Sequence, residues 1–576
     1  MSTSTPGAQA PRVFNQPPDL RTVVARLTHI AFAAFLFLAL TAPSWRIGPF
    51  TWWPVVCFPM LAGRPAELGL LSLLPGLIVA GWSVSRIFSR PARPWRWGRP
   101  GIAWPLVGLT LLVLLGLDPA LTWRTAVQVG GLSLFWLAYL FTLNENPDLI
   151  IPLALSILVQ ASVAVGQFLR QRDLGLALLG ELSLDPQVSG VIVLYARGRR
   201  WLRAYGLTGH PNVLGATLAI LLLLLLPALY RARGWRRAGL TLVASVGLLG
   251  LLISFSRASW LAFGVGVSVW AIQAVRYKLR VVDAERGVGA RPPLSPSRLP
   301  LQFVVPFVLV AIFLFLYRDL VVSRFVGLDT PIEARSLNDR RRDADLALEL
   351  IATHPWRGVG TGNYLPAVRA FEPDSRSVHN VLLLVTAELG LPGAALWLWL
   401  TAAGLWMARV VPAEGRSTDG RLAAGLGPWL ATVVVGLFDV SLWMTTSWRA
   451  AILFGVVAAR PPVPSETPNS RSDTPPPRSR TSRPPGGCTA SRDASTAPSP
   501  SPSDTLRLNQ PLDVFLQLVP AQEPVPLLDD LPVGREEVRR GRAQHLVIPQ
   551  HAGVGRAAGG ERDPQFVQQG QRVSTL

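Results

Sequence analysis

The stretch Leu218-Ala219-Ile220-Leu221-Leu222-Leu223-Leu224-Leu225-Leu226-Pro227-Ala228-Leu229 carries no charge, and no polar residue recurs at the 3.6-residue spacing of a water-washed helix. Such a helix faces lipid or other apolar helices on every side. Ala238 to Ser254 and Leu301 to Leu316 read the same way. Runs of about 18 to 22 apolar residues recur along the first 460 positions, each long enough to cross a hydrocarbon core of about 30 Å. With half of its 576 residues hydrophobic, the chain reads as an all-α polytopic membrane protein and not as several soluble domains. The pattern predicts twelve spans near 26–43, 66–84, 101–117, 126–143, 149–169, 212–230, 238–255, 258–275, 300–317, 380–409, 423–443 and 447–459. They form a membrane domain over 26–459, between a cytoplasmic leader at 1–25 and a tail at 460–576.

The formal net charge of +20 invites a nucleic-acid reading, but the position of the charge argues against it. Arg86, Arg90, Arg93, Arg96 and Arg99 crowd one short loop, and Arg231, Arg233, Arg236 and Arg237 another, with no acidic residue in either. This is the positive-inside pattern of a membrane protein, and it predicts membrane lipids and no nucleic acid as partners. Counting spans from these loops puts both termini inside and the two long loops, 170–211 and 318–379, outside. Within Arg318 to Ser377 nine basic and nine acidic residues balance, as suits a translocated loop. The two cysteines, Cys57 and Cys488, support neither a disulfide framework nor a thiolate metal site. The first apolar span follows a polar, proline-containing leader and reads as a retained anchor, not as a cleaved signal. From Pro461 the sequence is rich in Pro, Ser, Thr, Arg and Gly, with one apolar patch at Leu512 to Val519, which predicts a disordered cytoplasmic tail.

Polar motifs gather in the outer loops. Val191 to Tyr195 and Trp201 to Tyr205 flank Ala-Arg-Gly-Arg-Arg and predict a β-hairpin on the membrane surface. The segment Arg203-Ala204-Tyr205-Gly206-Leu207-Thr208-Gly209-His210-Pro211-Asn212 leads into a long span. Pro211 suits the first helical turn and Asn212 a cap, while a helix N-terminus beside Arg203 attracts phosphate. The plain alternative is a loop-to-helix junction. Ser254-Phe255-Ser256-Arg257-Ala258-Ser259 makes a short outer turn with Arg257 at the membrane rim, either binding an anion or snorkelling.

In the second loop Arg340-Arg341-Arg342 precede an amphipathic segment, Ala344 to Ala352, and then His354-Pro355-Trp356-Arg357-Gly358-Val359-Gly360-Thr361-Gly362-Asn363. Three glycines in five positions imply a tight bend or close approach to a ligand, though not a nucleotide fingerprint. His379-Asn380, nine residues, then Gly390-Leu391-Pro392-Gly393 open the next span. His379 is there either a general base at the rim of a cavity or a helix-capping histidine. No carboxylate pair, metal-ligand cluster or nucleophile with its base emerges from the sequence, so chemistry that needs a base and several arginines is favoured.

Taken in order, these motifs resemble the O-antigen ligase and O-antigen polymerase superfamily of polytopic, lipid-linked glycan transferases, over about residues 190–410. The His-Asn, nine-residue gap, Gly-x-x-Gly spacing is the most specific element. The resemblance implies transfer of a glycan from an undecaprenyl-diphosphate carrier to a glycan or lipid acceptor, with no cofactor or metal, on the extracytoplasmic face of a bacterial inner membrane. It implies that His379 deprotonates or orients the acceptor while Arg203 and Arg340 hold the diphosphate. His210, Asn212, Arg257, Arg341 and Asn380 are then substrate-binding. Arg335, Arg341 and Arg342 stand close enough to Arg340 to take its place, with Arg324 further off. Surface-polysaccharide ligase or polymerase is favoured over protein O-glycosyltransferase in the same superfamily. The rival from another class is a solute transporter, whose mid-span ionisable residues and repeated halves are not evident.

Overall fold

The computed structural model of the protein describes residues 20–41, 46–47, 50–51, 73–88, 94–117, 123–286, 301–326, 331–409, 426–443 and 447–459. The chain divides into two units at Asp473 and Thr474, and all the described residues belong to the first. The tail at 460–576, residues 1–19 of the leader, and both cysteines lie outside the described residues.

The helices in chain order are α1 (Leu20–Thr41), α2 (Leu73–Ile87), α3 (Pro100–Leu115), α4 (Trp123–Glu145), α5 (Ile150–Arg170), α6 (Pro211–Arg231), α7 (Gly234–Ile253), α8 (Arg257–Arg286) and α9 (Leu301–Leu316). They continue with α10 (Arg318–Val326), α11 (Pro331–Thr353), α12 (Tyr364–Phe371), α13 (Val381–Arg409), α14 (Leu426–Phe438) and α15 (Trp448–Ala458). Two small antiparallel ribbons accompany them, β1 (Arg46–Ile47) with β2 (Phe50–Thr51) and β3 (Val193–Ala196) with β4 (Arg199–Leu202).

Each of the twelve predicted span regions contains a helix. Among the described residues six helices are long and apolar enough to cross a bilayer: α1, α5, α6, α7, the first part of α8 and most of α13. The pair α9 and α10, bent by 80°, makes a seventh if it is one span. Four apolar helices, in α2, α3, α14 and α15, are only 10–17 residues long. At a rise of about 1.5 Å per residue such helices fall short of a core about 30 Å thick. The chain is thus a multi-pass, mainly helical membrane protein, and the expected twelve crossings exceed the six or seven that helix length and composition support.

The leucine-rich run that identifies the fold lies at the centre of the bundle. Residues Leu218 to Leu225 of α6 are all buried, and the helix packs against α5, α7, α8 and α14. Its apolar surface is satisfied by protein on every side. By contrast Phe307 and Phe315 of α9 are 76% and 74% exposed, as befits an outer helix that meets lipid.

The predicted hairpin forms, tighter than its sequence limits. Val193 pairs with Leu202 and Ala196 with Arg199, closed by Arg197-Gly198, both at positive φ (53° and 68°). That two-residue turn matches the right-handed twist of the strands. Its tip is tied to α10, because Arg197 Nε donates to Asp319 Oδ2 at 2.5 Å. The amphipathic segment predicted at Ala344 to Ala352 is longer than expected, for α11 begins at Pro331 and carries the three arginines within it.

Helix α13 is broken at Gly390, whose φ of 71° and ψ of −172° are open to glycine alone. The glycine-rich loop docks at this break. Val359 N donates to Ala387 O (2.8 Å), Gly360 N to Glu388 O (3.0 Å), and Leu391 N to Pro355 O (2.7 Å). The Glu388 carboxylate accepts the backbone N–H groups of Gly362 and Tyr364. A Cβ at Gly358 would collide with the Glu388 backbone, and one at Gly390 with the Trp356 carbonyl. The close approach that these glycines permit is therefore between loop and helix, which meets the backbone requirements that a broken helix leaves open.

Candidate functional site

The N-termini of α6 and α13 meet the C-terminal end of α14. Here Arg203, just before α6, is 6% exposed, and its guanidinium is fixed from two directions. Nε donates to the Ser254 carbonyl at 2.9 Å and Nη2 to Asn212 Oδ1 at 2.7 Å. Asn212 in turn donates through Nδ2 to Asp439 Oδ2 at 3.0 Å, and Asp439 Oδ1 accepts from Ser441 N at 2.8 Å. An arginine, an amide and a carboxylate thus form one connected line across the start of the central helix.

His210 is the N-cap of α6. Its Nδ1 accepts the Asn212 backbone N–H at 3.0 Å, and Pro211 occupies the first helical position. The expected capping role of Asn212 is corrected: its side chain is freed for Arg203 and Asp439 because the imidazole caps instead. Burial, then the Arg203 charge, push the His210 pKa down to about 4, against an opposing pull from Asp439. The imidazole is therefore neutral at neutral pH, as an acceptor of a backbone N–H must be.

At the start of α13 the cap is Asn380 and not His379. Asn380 Oδ1 accepts from Leu383 N at 3.0 Å, and Nδ2 donates to the Leu437 carbonyl of α14 at 3.1 Å. Of the two readings of His379, helix cap is thereby excluded, and Asn380, expected to bind substrate, has both side-chain polar atoms engaged in the scaffold. His379 lies where charges from several elements act on it. Burial lowers its pKa first, then Arg340; Asp439 and Asp343 oppose, and Arg376 adds to the lowering. His379 and Arg340 also contribute, after burial and Arg203, to the lowering of the His210 pKa.

Asp343 on α11 approaches this histidine, with Oδ2 3.6 Å from His379 Nδ1. It is 5% exposed, and burial raises its pKa while the neighbouring His379 pulls the other way. Arg340, one turn earlier on the same face of α11, is half-buried toward the site. Arg341 and Arg342 are exposed, and Arg342 pairs with Glu372 at the end of α12. Arg340 is accordingly the arginine of this triplet that the helix turns to the histidines. The Arg335 side chain lies outside the described residues.

Arg257, at the start of α8, donates through Nη1 to the Arg324 carbonyl at 2.9 Å and so ties α8 to the end of α10. His354 is exposed, with its Nδ1 2.9 Å from the Thr353 hydroxyl. Two acids were not picked out from the sequence. Asp343 is concealed in a loop whose acids and bases cancel, although its i+3 spacing from Arg340 marks a shared helix face. Asp439, an isolated acid between two apolar helices, had a signal: an unpaired charge at that depth needs a partner. Among the described residues no cluster of three or more His, Cys, Asp or Glu is placed to hold a metal ion.

Residues 240–398 match the family model described as O-antigen ligase. The resemblance drawn from the sequence is borne out over that segment, which supports membership of the O-antigen ligase family and includes Arg257, Arg340, Arg341, Asp343, His379 and Asn380. Arg203, His210 and Asn212 precede it. No curated protein matches the chain.

Proposed function

We propose that this protein is a membrane glycosyltransferase of the ligase or polymerase kind. It moves a glycan from an undecaprenyl-diphosphate carrier to a hydroxyl of a glycan or lipid acceptor, on the extracytoplasmic face of a bacterial inner membrane. The observation that carries the reading is His379: a half-buried imidazole, relieved of helix capping by Asn380, set among Arg340, Asp439, Asp343 and Arg376, with Arg203 joined to Asp439 through Asn212.

In this reaction the acceptor hydroxyl attacks the anomeric carbon and its proton passes to His379. The new glycosidic C–O bond forms as the bond from that carbon to the diphosphate breaks, and the electron pair leaves with the diphosphate. A base must be unprotonated to accept, and burial beside Arg340 holds the His379 pKa below its ordinary value, so the neutral form prevails at neutral pH. Arg203 and Arg340 supply positive charge where the leaving group becomes more negative. Arg203 is fixed by Ser254 and Asn212 before substrate arrives, so its charge needs little reorganisation, and the N-terminus of α6 adds its partial positive charge.

The test uses full-length protein in nanodiscs, given radiolabelled undecaprenyl-diphosphate-linked glycan extracted from the source membranes and candidate acceptors. These are a lipid-anchored saccharide and a second lipid-linked glycan. Glycosidic product from the parent, lost in His379→Ala and Arg203→Ala, is the expected result. Absence of product with every acceptor, or full activity in both folded variants, overturns the reading.

A further inference from the structure

Two buried polar atoms in this site face each other, and neither has a hydrogen-bond partner: His379 Nδ1 and Asp343 Oδ2, 3.6 Å apart. Buried polar atoms are seldom left unpaired, and each such pair needs a reason. The separation exceeds a hydrogen bond by only about 0.5 Å, and hydrogen bonds among catalytic groups commonly close when substrate binds.

Asp343 is built to hold this position. Its backbone carbonyl accepts the Tyr364 hydroxyl at 3.1 Å, which fixes α11 to α12. Its carboxylate accepts the backbone N–H of Arg376, three residues before His379 on the same loop. One carboxylate thus anchors the loop and presents its second oxygen to the imidazole that the loop carries.

We propose that Asp343 is the positioning residue of His379: it keeps a proton on Nδ1, so that Nε2 is the nitrogen that accepts the acceptor's proton. The inference rests on His379 being the base of the proposed transfer. In the step itself the hydroxyl proton moves to Nε2, the imidazole becomes imidazolium, and Asp343 faces the new charge across Nδ1–H. The other charged groups acting on His379 are Arg340 on α11, Arg376 on its own loop and Asp439 after α14, with His210 before α6 the nearby titratable neighbour.

Asn at position 343 discriminates sharply. The Arg376 N–H needs an acceptor, so the amide oxygen turns toward it and the NH2 group toward His379. Nδ1 must then accept, and the proton moves to Nε2, where it blocks the base.

The experiment is 15N NMR of histidine-labelled full-length protein in nanodiscs, with the His379 signal assigned by subtraction of His379→Gln, alongside transfer rates from pH 5 to 9. The parent is expected to carry the proton on Nδ1. Asp343→Asn is expected to move it to Nε2, to lower the rate plateau by about 100-fold or more, and to shift the acid limb to lower pH because a negative neighbour is gone. Asp343→Glu, which keeps the charge, is expected to retain the Nδ1–H form and part of the rate. A parent His379 protonated on Nε2 overturns the proposal even if neither Asp343 variant folds. So does Asp343→Asn with an unchanged tautomer and acid limb, whatever its rate, since that is a structural loss alone. If instead the tautomers behave as expected while His379→Ala transfers glycan like the parent, the pairing stands and the proposed function fails.

Discussion

Two histidines stand at two helix starts in this protein and do different work. His210 precedes Pro211 and spends its Nδ1 on the Asn212 N–H, whereas His379 precedes Asn380, which caps α13 in its place. The difference lies in the next residue. Proline has no N–H to give and fits the first turn, so in His-Pro-Asn the histidine becomes the cap and the asparagine reaches across to Arg203 and Asp439. In His-Asn the asparagine caps, and the imidazole is turned to Asp343 and the arginine-rich side of α11. Burial depresses both pKa values, yet one imidazole spends its Nδ1 on a backbone N–H, and the other is the one proposed to take a proton.

The difference between the two histidines shows most in variants that remove each side chain in turn. His379→Ala is expected to lower the transfer rate by about 10²–10⁴-fold, the contribution of a positioned base, with the fold retained because Asn380 still caps α13. A product assay paired with a thermal melt separates the two effects. Arg203→Ala is expected to cost about 10²–10³-fold in the same assay, and Arg203→Lys to restore little, because an ammonium cannot reach Ser254 and Asn212 with the same fork of donors. His210→Ala should invert the pattern: a loss of about 1 kcal/mol of stability and a fall in rate much smaller than for His379→Ala, with His210→Asn keeping most of the cap. Asn380→Ala is expected to cost a similar 1 kcal/mol or about that through the α13 cap, read from the same melts, while Asn380→Asp, which keeps the acceptor oxygen, costs less.

The smallest effect concerns pH. The folded protein resists protonation of His210 down to about pH 4, while the unfolded chain takes up that proton near pH 6.5. Its depressed pKa therefore contributes stability that is present above about pH 6.5 and is lost as pH falls toward 4. Melting temperature against pH should slope less over that window in His210→Ala than in the parent. An identical slope in both would contradict the buried, neutral cap.

The apolar runs made the helices legible, because periodicity and length are local properties of the chain. The leucine run of α6 could be placed in lipid or protein by sequence; burial on all sides resolves it as the central helix. The number of crossings was harder, since helices of 10–17 residues and the 80° bend after α9 depend on how neighbours pack. At the site, Arg203, Arg340 and His379 were visible as cations and an imidazole beside apolar spans. Asp343 and Asp439 were not, because each acquires its meaning from a partner distant in sequence: His379 for one, Asn212 for the other. The three glycines at 358, 360 and 362 point to a close approach, but only the structure shows the surfaces: the Glu388 backbone of α13 at Gly358, the Gly116 carbonyl after α3 at Gly360 and the Gln128 side chain of α4 at Gly362.

The most direct test compares the two histidines in one assay. Full-length parent, His379→Ala and His210→Ala in nanodiscs are given the lipid-diphosphate-linked glycan and an acceptor, and glycosidic product is measured per folded molecule. Product is expected from the parent, with a loss of about 10²-fold or more in His379→Ala and substantial transfer by His210→Ala. Equal loss in both variants, or full activity in His379→Ala, would contradict the assignment of His379 as the base.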